Sequence, residues 1–249
     1  LIAENRALVE KLAAPESQPS WHAFMQPITD AGERLGRAWG IVSHLHSVMD
    51  VPAWRDAYNA MLPEITGYYA ELGQNEAIYA KVKQLRASAE YATLTPTRQR
   101  IVDNDLRDFR LSGAELSEDK KPRYKAMQEE MSAIAAKFSE NLLDATNAHV
   151  VEVADDERLA GMPDDLKAPV RKEDVGELTL REPCYIPVMQ YAENRELRAR
   201  MYRAFATRAS EFGQPEWDNG PLITRLLHLR AEEAALLGYA HYAEVSLVP

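Results

Sequence analysis

The chain has 249 residues, of which 46% are hydrophobic and 27% charged, and its formal net charge at pH 7 is −10. This balance is that of a globular protein with a sizeable core, and the acidic charge argues against a nucleic-acid partner, because phosphate binding needs a basic surface. The single cysteine, Cys184, excludes an internal disulfide and a cysteine-rich zinc site. No run approaches the about 18 apolar residues of a membrane span, and we expect no membrane partner and a cytoplasmic location.

The first part of the chain predicts a series of helices whose ends are marked by capping residues, glycines and prolines. They are expected over residues 1–14, from the cap Ser20 to Asp50, from Pro52 to Gly73 with a kink or interruption at Pro63, over 75–87, and from Thr95-Pro96 to a stop at Gly113. Gly32, Gly36 and Gly40 recur every four residues within the second of these helices. We interpret that spacing as a sign of close backbone packing.

Residues 121–148 predict one long helix around which the rest of the chain is organised. Its apolar residues recur at steps of three and four, which places them on a single stripe: Tyr124, Met127, Met131, Ile134, Phe138, Leu142 and Ala145. The charged residues are expected to face mostly water: Lys125, Glu129, Glu130, Lys137 and Glu140. At 1.5 Å per residue the helix is about 42 Å long, so the stripe needs partners along its whole length, and we expect Phe138 to be deeply buried.

After the long helix the pattern changes to that of strands. The β-branched segment His149–Val153 is predicted to pair with Leu178–Leu180, on either side of a polar excursion over 155–177 that contains a short helical piece, LAGMP. Pro183 and Pro187 bracket Cys184–Ile186, which is expected to be extended. Helices capped by Asn194 and opened by Asn219-Gly220-Pro221 close the chain, the last one ending at Gly238. The sequence therefore predicts a mostly α fold, an irregular multi-helix domain with long antiparallel helices and a small two-stranded β element.

Few residues qualify as metal ligands or nucleophiles. His44 and His46 are two positions apart, so on a helix they point about 200° apart and cannot share a metal ion. His228 and Glu232 share a helix face, but without a second pair at matching spacing a surface contact is the favoured interpretation. Cys184 has no histidine nearby in the sequence and is interpreted as a structural or incidental thiol.

The segment 195–208 carries the one charge cluster that opposes the overall sign: Arg195, Arg198, Arg200, Arg203 and Arg208. These arginines could hold a carboxylate ligand, although we favour ion pairs with the acidic helices. No serine lies in a G-x-S-x-G elbow, and there is no glycine-rich phosphate loop. From the residues alone we assign no catalytic, cofactor-binding or metal-binding residue.

Several segments resemble one known family when they are taken together and in order. SHLHSV, VDNDLRDFRLSG, FSENLLDATNAHVVEV, LAGMP, YIPVMQYAENRELRARMYRAFATRAS and EWDNG are similar to the N-terminal half of the thimet oligopeptidase family of zinc metallopeptidases. The resemblance covers the chain from end to end, with an excursion over 155–177 that is several residues shorter. It implies that residues 1–249 are the helical N-terminal domain of a larger peptidase, with a helical part over 1–113 and the long helix, β element and closing helices over 114–249.

The resemblance also implies a function. The family's chemistry needs an H-E-x-x-H helix and a downstream glutamate to hold Zn²⁺, and this sequence has neither. We therefore expect zinc in the C-terminal catalytic half of the full-length parent, no cofactor in this chain and no activity of the chain alone. In the family this half forms one wall of a channel that admits short peptides, so its expected partners are the catalytic half and, in the whole enzyme, short peptides.

The two ends of the chain support the same expectation of a fragment. The opening LIAENRALVEKLAA lacks an initiator Met and a signal-peptide layout, and the closing Ser-Leu-Val-Pro follows directly on helical sequence. Two alternatives stay open. One is a stand-alone helical interaction or scaffold protein without catalysis, and the other is a self-sufficient metalloenzyme that uses His228 and Glu232.

Overall fold

A computed structural model describes residues 1–49, 51–153, 159–167, 171–172 and 175–249. Most of them are helical, which confirms the predicted mostly α fold. The helices are α1 (Ile2–Ala13), α2 (Gln26–Met49), α3 (Pro52–Gly73), α4 (Glu76–Ala87), α5 (Ala89–Thr93), α6 (Pro96–Leu111), α7 (Lys121–Ala148), α8 (Asp164–Lys167), α9 (Glu182–Tyr191), α10 (Arg195–Thr207), α11 (Gly220–Leu236) and α12 (Tyr242–Ser246). A π-helical turn, Trp21–Met25, leads into α2, and the predicted end of that helix at Asp50 lies outside the described residues.

Local capping interactions set where several helices begin. The Ser20 hydroxyl accepts a hydrogen bond from the Ala23 amide at 3.2 Å, and the side-chain oxygens of Asn75 and Asn194 each accept one from a first-turn amide at 3.0 Å. Each cap satisfies an amide that has no partner inside the helix, which confirms these predicted starts. Gly113 follows the end of α6 with a φ of +84°, a conformation that favours glycine.

The chain divides into two compact units, residues 1–133 with 227–249 (unit 1) and residues 134–226 (unit 2). The main core of unit 1 consists of Leu12, Trp21, Phe24, Met25, Ile78, Val82, Leu85 and Val102. Beside it, α2 and α3 run antiparallel, as predicted for long helices of this fold: the Trp54 indole donates to the Val42 carbonyl at 3.1 Å, and Trp39 stacks on Tyr58 with ring centroids 5.0 Å apart. Of the kink or interruption predicted at Pro63, the interruption is not found, because α3 continues through that residue.

Unit 2 contains a three-stranded antiparallel sheet in the order β1–β3–β2, with β1 at Val150–Val153, β2 at Arg171–Lys172 and β3 at Val175–Thr179. Val151 lies opposite Leu178, which confirms the predicted pairing of the two β segments. The sheet has a third, two-residue strand because part of the excursion folds back on β3. Residues 154–158, 168–170 and 173–174, at the start of that excursion and within it, lie outside the described residues. The core of the unit consists of Val151, Val153, Leu159, Met162, Leu178, Leu180, Val188, Ala192, Leu197 and Met201.

The long helix α7 has the predicted bounds, but its buried face differs from the predicted stripe. Met127 is fully buried, whereas Phe138 is 36% exposed, so the expectation that Phe138 is deeply buried is wrong. Asn141 is 3% exposed, and Glu140, expected to face water, is 8% exposed. Periodicity identifies a helix face, but it carries no information on where along that face a neighbouring element comes close.

Two further local predictions are wrong. A Cβ atom built on Gly32, Gly36 or Gly40 would have no atom within 4 Å, so these glycines are not at a close backbone contact. Cys184–Ile186, expected to be extended, lies in the helix α9. Pro183 occupies the first turn of α9, where its missing amide proton costs nothing, and the amides of Cys184 and Tyr185 both donate to the Arg181 carbonyl. Pro187 lies one turn later, inside the same helix.

Candidate functional site

The arginines of α10 border a cavity of about 340 Å³ in unit 2. α10 begins at the Asn194 cap and turns Leu197 and Met201 into the core. On the same helix, Arg200 and Arg203 are exposed at the cavity. Arg208 follows the end of the helix and is half-buried at the same cavity. The cluster is visible in the sequence, but the cavity beside it is not.

Of the three arginines at the cavity, Arg208 is the half-buried one. Its guanidinium lies 3.5 Å from the centroid of the Phe205 ring, and Nη1 donates to the Phe205 carbonyl at 2.5 Å. Phe205 in turn stacks on Tyr185 at 4.0 Å. The Nε atom of Arg208 is buried without a hydrogen-bond partner, and burial lowers the pKa of the guanidinium. A buried N–H group without an acceptor is costly, because it has lost its hydrogen bonds to water and replaced them with none.

His149, between α7 and β1, lies at the same cavity. Its Nε2 atom is buried and has no hydrogen-bond partner. Burial lowers the pKa of the imidazole, and the positive charge of Arg200 lowers it further. The ring is therefore neutral at pH 7 and adds a polar group, not a fourth positive charge. Sequence reasoning had no signal for its placement, since His149 and α10 are far apart in the chain.

The predicted ion pairs between this cluster and acidic helices are not found in the described part of the chain. There, no carboxylate oxygen lies within the 4.0 Å of an ion pair from Arg195, Arg198, Arg200, Arg203 or Arg208. Exposed Glu182 lies near enough to affect the pKa of Arg208 but makes no such pair. Arg198 instead donates to the Ala192 carbonyl within its own segment. The cavity is thus bordered by cations whose charge no described carboxylate neutralises at close range.

The other candidates from the sequence are not brought together. Glu232 is held by the guanidinium of Arg123, with N–O distances of 2.6 and 2.5 Å, while His228 is exposed. His46 stacks on Tyr58 at 4.0 Å. The thiol of Cys184 accepts a hydrogen bond from the Thr179 amide at 3.3 Å. Within the described residues, no group of three His, Cys, Asp or Glu side chains could hold a metal ion.

A buried carboxyl that the sequence did not single out lies in unit 1. Glu233 of α11 is 6% exposed, accepts a hydrogen bond from the Gln128 amide at 2.7 Å, and lies 3.3 Å from the Tyr124 hydroxyl. Burial raises its pKa, and the two hydrogen-bonding neighbours oppose that effect only in part. All its described partners belong to the packed interior, so we interpret it as a structural group. Separately, none of the described helices combines the length and the apolarity needed to cross a membrane.

Comparison with known proteins bears on the whole chain. Residues 1–121 match the family model described as the N-terminal domain of neurolysin and thimet oligopeptidase, and residues 188–249 match that of peptidase family M3. The chain is 41% identical to oligopeptidase A of Salmonella typhimurium and 39% identical to that of Escherichia coli, in each case over 99% of the chain and 37% of the relative. It is 37% identical to the probable cytosolic oligopeptidase A of Arabidopsis thaliana. The resemblance found in the sequence is confirmed, and the chain spans little more than a third of the length of these relatives.

Proposed function

Because the chain belongs to peptidase family M3, we propose that it acts as the non-catalytic N-terminal portion of an oligopeptidase and forms one wall of the channel through which short peptides reach the catalytic centre. The observation that carries this proposal is the alignment of 99% of the chain with only 37% of oligopeptidase A. The remaining length of such an enzyme then supplies the catalytic portion and is the chain's main partner.

The donor atoms of the chain support placing catalysis elsewhere. A zinc peptidase centre needs an H-E-x-x-H helix and a third ligand, and the sequence has no such motif. The described residues also lack any cluster of three potential ligands, so they do not fit a zinc ion. We therefore propose that zinc belongs to the catalytic portion, that this chain contributes no metal ligand, and that it is inactive alone. His228 and Glu232 do not support a self-sufficient metalloenzyme, because Glu232 is engaged by Arg123.

A wall of helices would act through shape. Long helices such as α2, α3 and α7 are stiff, and a stiff wall admits an extended short peptide while it excludes a folded protein. Specificity of this kind needs no individual contact residue. We propose one N-terminal helical domain over residues 1–249, with a helical part over 1–113 and the long helix, β element and closing helices over 114–249.

A cytoplasmic location completes the proposal. It is supported by one plant relative, which is described as a probable cytosolic oligopeptidase A. A second relative from the same plant, 34% identical to the chain, is described as organellar. Fractionating cells that express the chain with its native flanking sequence and probing each fraction with an antibody would show which case applies.

The test of the function is a comparison of the chain alone with the chain extended by its native downstream sequence. A fluorogenic short peptide is the substrate, with and without a metal chelator. We expect no cleavage by the chain alone and chelator-sensitive cleavage by the extended protein. Chelator-sensitive cleavage by the chain alone would contradict the proposal. An extension without H-E-x-x-H and without activity would favour the alternative of a helical scaffold protein.

A further inference from the structure

The cavity in unit 2 has the chemistry of a binding site for a small organic anion. We propose that it binds the carboxylate of a compact ligand with an apolar side group, and that the natural ligand is the free C-terminus of a short peptide. The choice of a peptide as the natural source rests on the proposed function. The preference for an apolar carboxylate does not, because it follows from the cavity itself.

The charge at the cavity favours an anion. Arg200, Arg203 and Arg208 all border it, and none of them is paired with a described carboxylate. In a chain whose net charge is −10, three such guanidinium groups at one cavity concentrate positive charge against the overall sign. A guanidinium presents planar, forked N–H donors that match the two oxygens of a carboxylate.

Unsatisfied hydrogen-bonding groups at the same cavity point in the same direction. The Nε atom of Arg208 and the Nε2 atom of His149 are both buried without a partner. Buried polar groups in folded proteins are nearly always hydrogen-bonded, so two exceptions at one cavity need an explanation. Both atoms are closed to solvent, so the oxyanion itself is held by the exposed guanidinium groups of Arg200 and Arg203, and its negative charge offsets the desolvation of Arg208.

The apolar residues that border the cavity favour an anion that is joined to an apolar group. Phe212, which is 71% exposed, and Trp217 border the cavity together with Ala148 and Leu180. The side chains of Phe212, Ala148 and Leu180 have no hydrogen-bonding group to offer a bare phosphate, and together with the ring of Trp217 they can cover an apolar group joined to the anion. The cavity volume of about 340 Å³ lies near the lower limit of ligand pockets, about 300 Å³, so the ligand part that enters it is small. A terminal residue of a peptide, with its carboxylate and one side chain, has this combination.

The experiment is a calorimetric titration of the full chain with N-acetyl-L-phenylalanine. Its carboxamide, N-acetyl-L-phenylalaninamide, is the matched ligand without charge, and inorganic phosphate is the matched ligand without an apolar group. We expect saturable one-site binding of the acid and binding at least about tenfold weaker for the other two compounds. Absence of binding by the acid, or equal binding of acid and amide, would overturn the proposal. Phosphate binding as tight as that of the acid would overturn the assignment to an apolar carboxylate.

Variants of α10 locate the binding. Arg203→Gln removes an exposed cation at the cavity, and Arg195→Gln removes an exposed cation of the same helix that does not border it. Because both side chains are exposed, both variants should fold, which circular dichroism checks. We expect Arg203→Gln to weaken binding of the acid about tenfold and Arg195→Gln to leave it unchanged. Equal effects of the two substitutions would mean a general charge effect and would contradict a site in the cavity.

The outcomes separate this inference from the proposed function. Loss of chelator-sensitive cleavage in the extended protein tests the function and has no bearing on whether the acid binds to the chain alone. If the function fails while the acid binds as expected, the carboxylate site stands and its natural ligand is not a peptide. If the acid does not bind while cleavage is found, the proposed function stands and the cavity is not a carboxylate site.

Discussion

The long helix α7 takes part in a buried polar contact in each unit, and the two contacts differ in chemistry. In unit 1 the contact is ionisable: the carboxyl of Glu233 accepts from Gln128 at 2.7 Å. In unit 2 it is neutral: the Asn141 amide donates to Asn219 at 2.9 Å, and the Asn219 amide donates to the carbonyl of Phe138 at 3.0 Å. Both contacts replace hydrogen bonds to water, but only the first can change its charge.

The difference has a physical consequence for stability. Burying an amide brings no penalty that depends on pH, because its charge state does not change. Burying a carboxyl also penalises its ionised form, which is why burial raises the pKa of Glu233. We therefore expect the contact in unit 1 to weaken as the pH rises and the contact in unit 2 to be insensitive to pH.

The largest expected effect concerns the packing of α7 around the two contacts. Met127, beside the contact in unit 1, is fully buried, and Met127→Ala should lower the free energy of unfolding by about 2–5 kcal/mol through lost burial and a cavity. Phe138, beside the contact in unit 2, is 36% exposed, so Phe138→Ala should cost only about 1–2 kcal/mol. Urea denaturation measures both values. A larger loss for Phe138→Ala would show that the helix is packed more tightly in unit 2 than in the structure.

The second effect tests the amide pair itself. Asn219→Ala leaves the buried Asn141 amide without its acceptor and the Phe138 carbonyl without its side-chain donor, so it should cost about 1–3 kcal/mol. Asn147→Ala is the matched control, because the oxygen of Asn147 accepts from Arg181 at an exposed position and its loss should change stability by less than about 0.5 kcal/mol. If urea melts show the same loss of stability for Asn219→Ala and Asn147→Ala, the buried amide pair contributes no more to stability than an exposed hydrogen bond.

The third effect concerns the charge of Glu233. Its pKa is raised in the folded state, so between the unfolded pKa near 4.5 and the folded pKa the folded state binds more protons, and stability falls as the pH rises. Glu233→Gln keeps the shape without the charge, so its stability relative to the wild type should increase as the pH rises through that window. Urea melts at a series of pH values measure this difference.

Two comparisons separate the effect of Glu233 from other effects of pH on stability. Burial and the charge of Asp108 raise the pKa of Asp105 to about 6, so the wild type and Glu233→Gln should both lose stability over the same pH range, and only their difference reports on Glu233. Asn219→Ala should differ from the wild type by a constant amount across the series. A constant difference for Glu233→Gln as well would mean that both contacts are insensitive to pH.

The smallest effect is expected at an ionic contact on the surface of unit 1. Arg123 and Glu232 are neighbours of the buried Tyr124 and Glu233 in the chain, but their side chains are 42% and 40% exposed. Water screens such a pair, so Arg123→Gln should cost about 0.2–1 kcal/mol and the cost should shrink in high salt. If Arg123→Gln lowers the free energy of unfolding more than Asn219→Ala does, the exposed ion pair contributes more to stability than the buried amide pair, which is the opposite of the expected order.

What the sequence determined by itself is mostly local. Ser20, Asn75 and Asn194 identify helix starts because each cap contacts an amide only three residues further on. The bounds of α7 follow from its periodicity, and the pairing of β1 with β3 follows from β-branched residues in both segments. The family was recognisable from ordered motifs, and the missing H-E-x-x-H is a property of the sequence alone. Each of these features depends on residues that are close in the chain or on their order.

Only the tertiary structure decided which of these surfaces meet. Phe138 has the correct period for burial, yet no neighbouring element covers it fully, and Gly32 has the spacing of a packing contact but no neighbour. Arg200 and Arg203 share one side of α10, which their spacing shows. The cavity is also bordered by His149, which is far from α10 in the sequence. Burial and charge neutralisation depend on atoms that are distant in the chain and close in space, and no local pattern of residues specifies them.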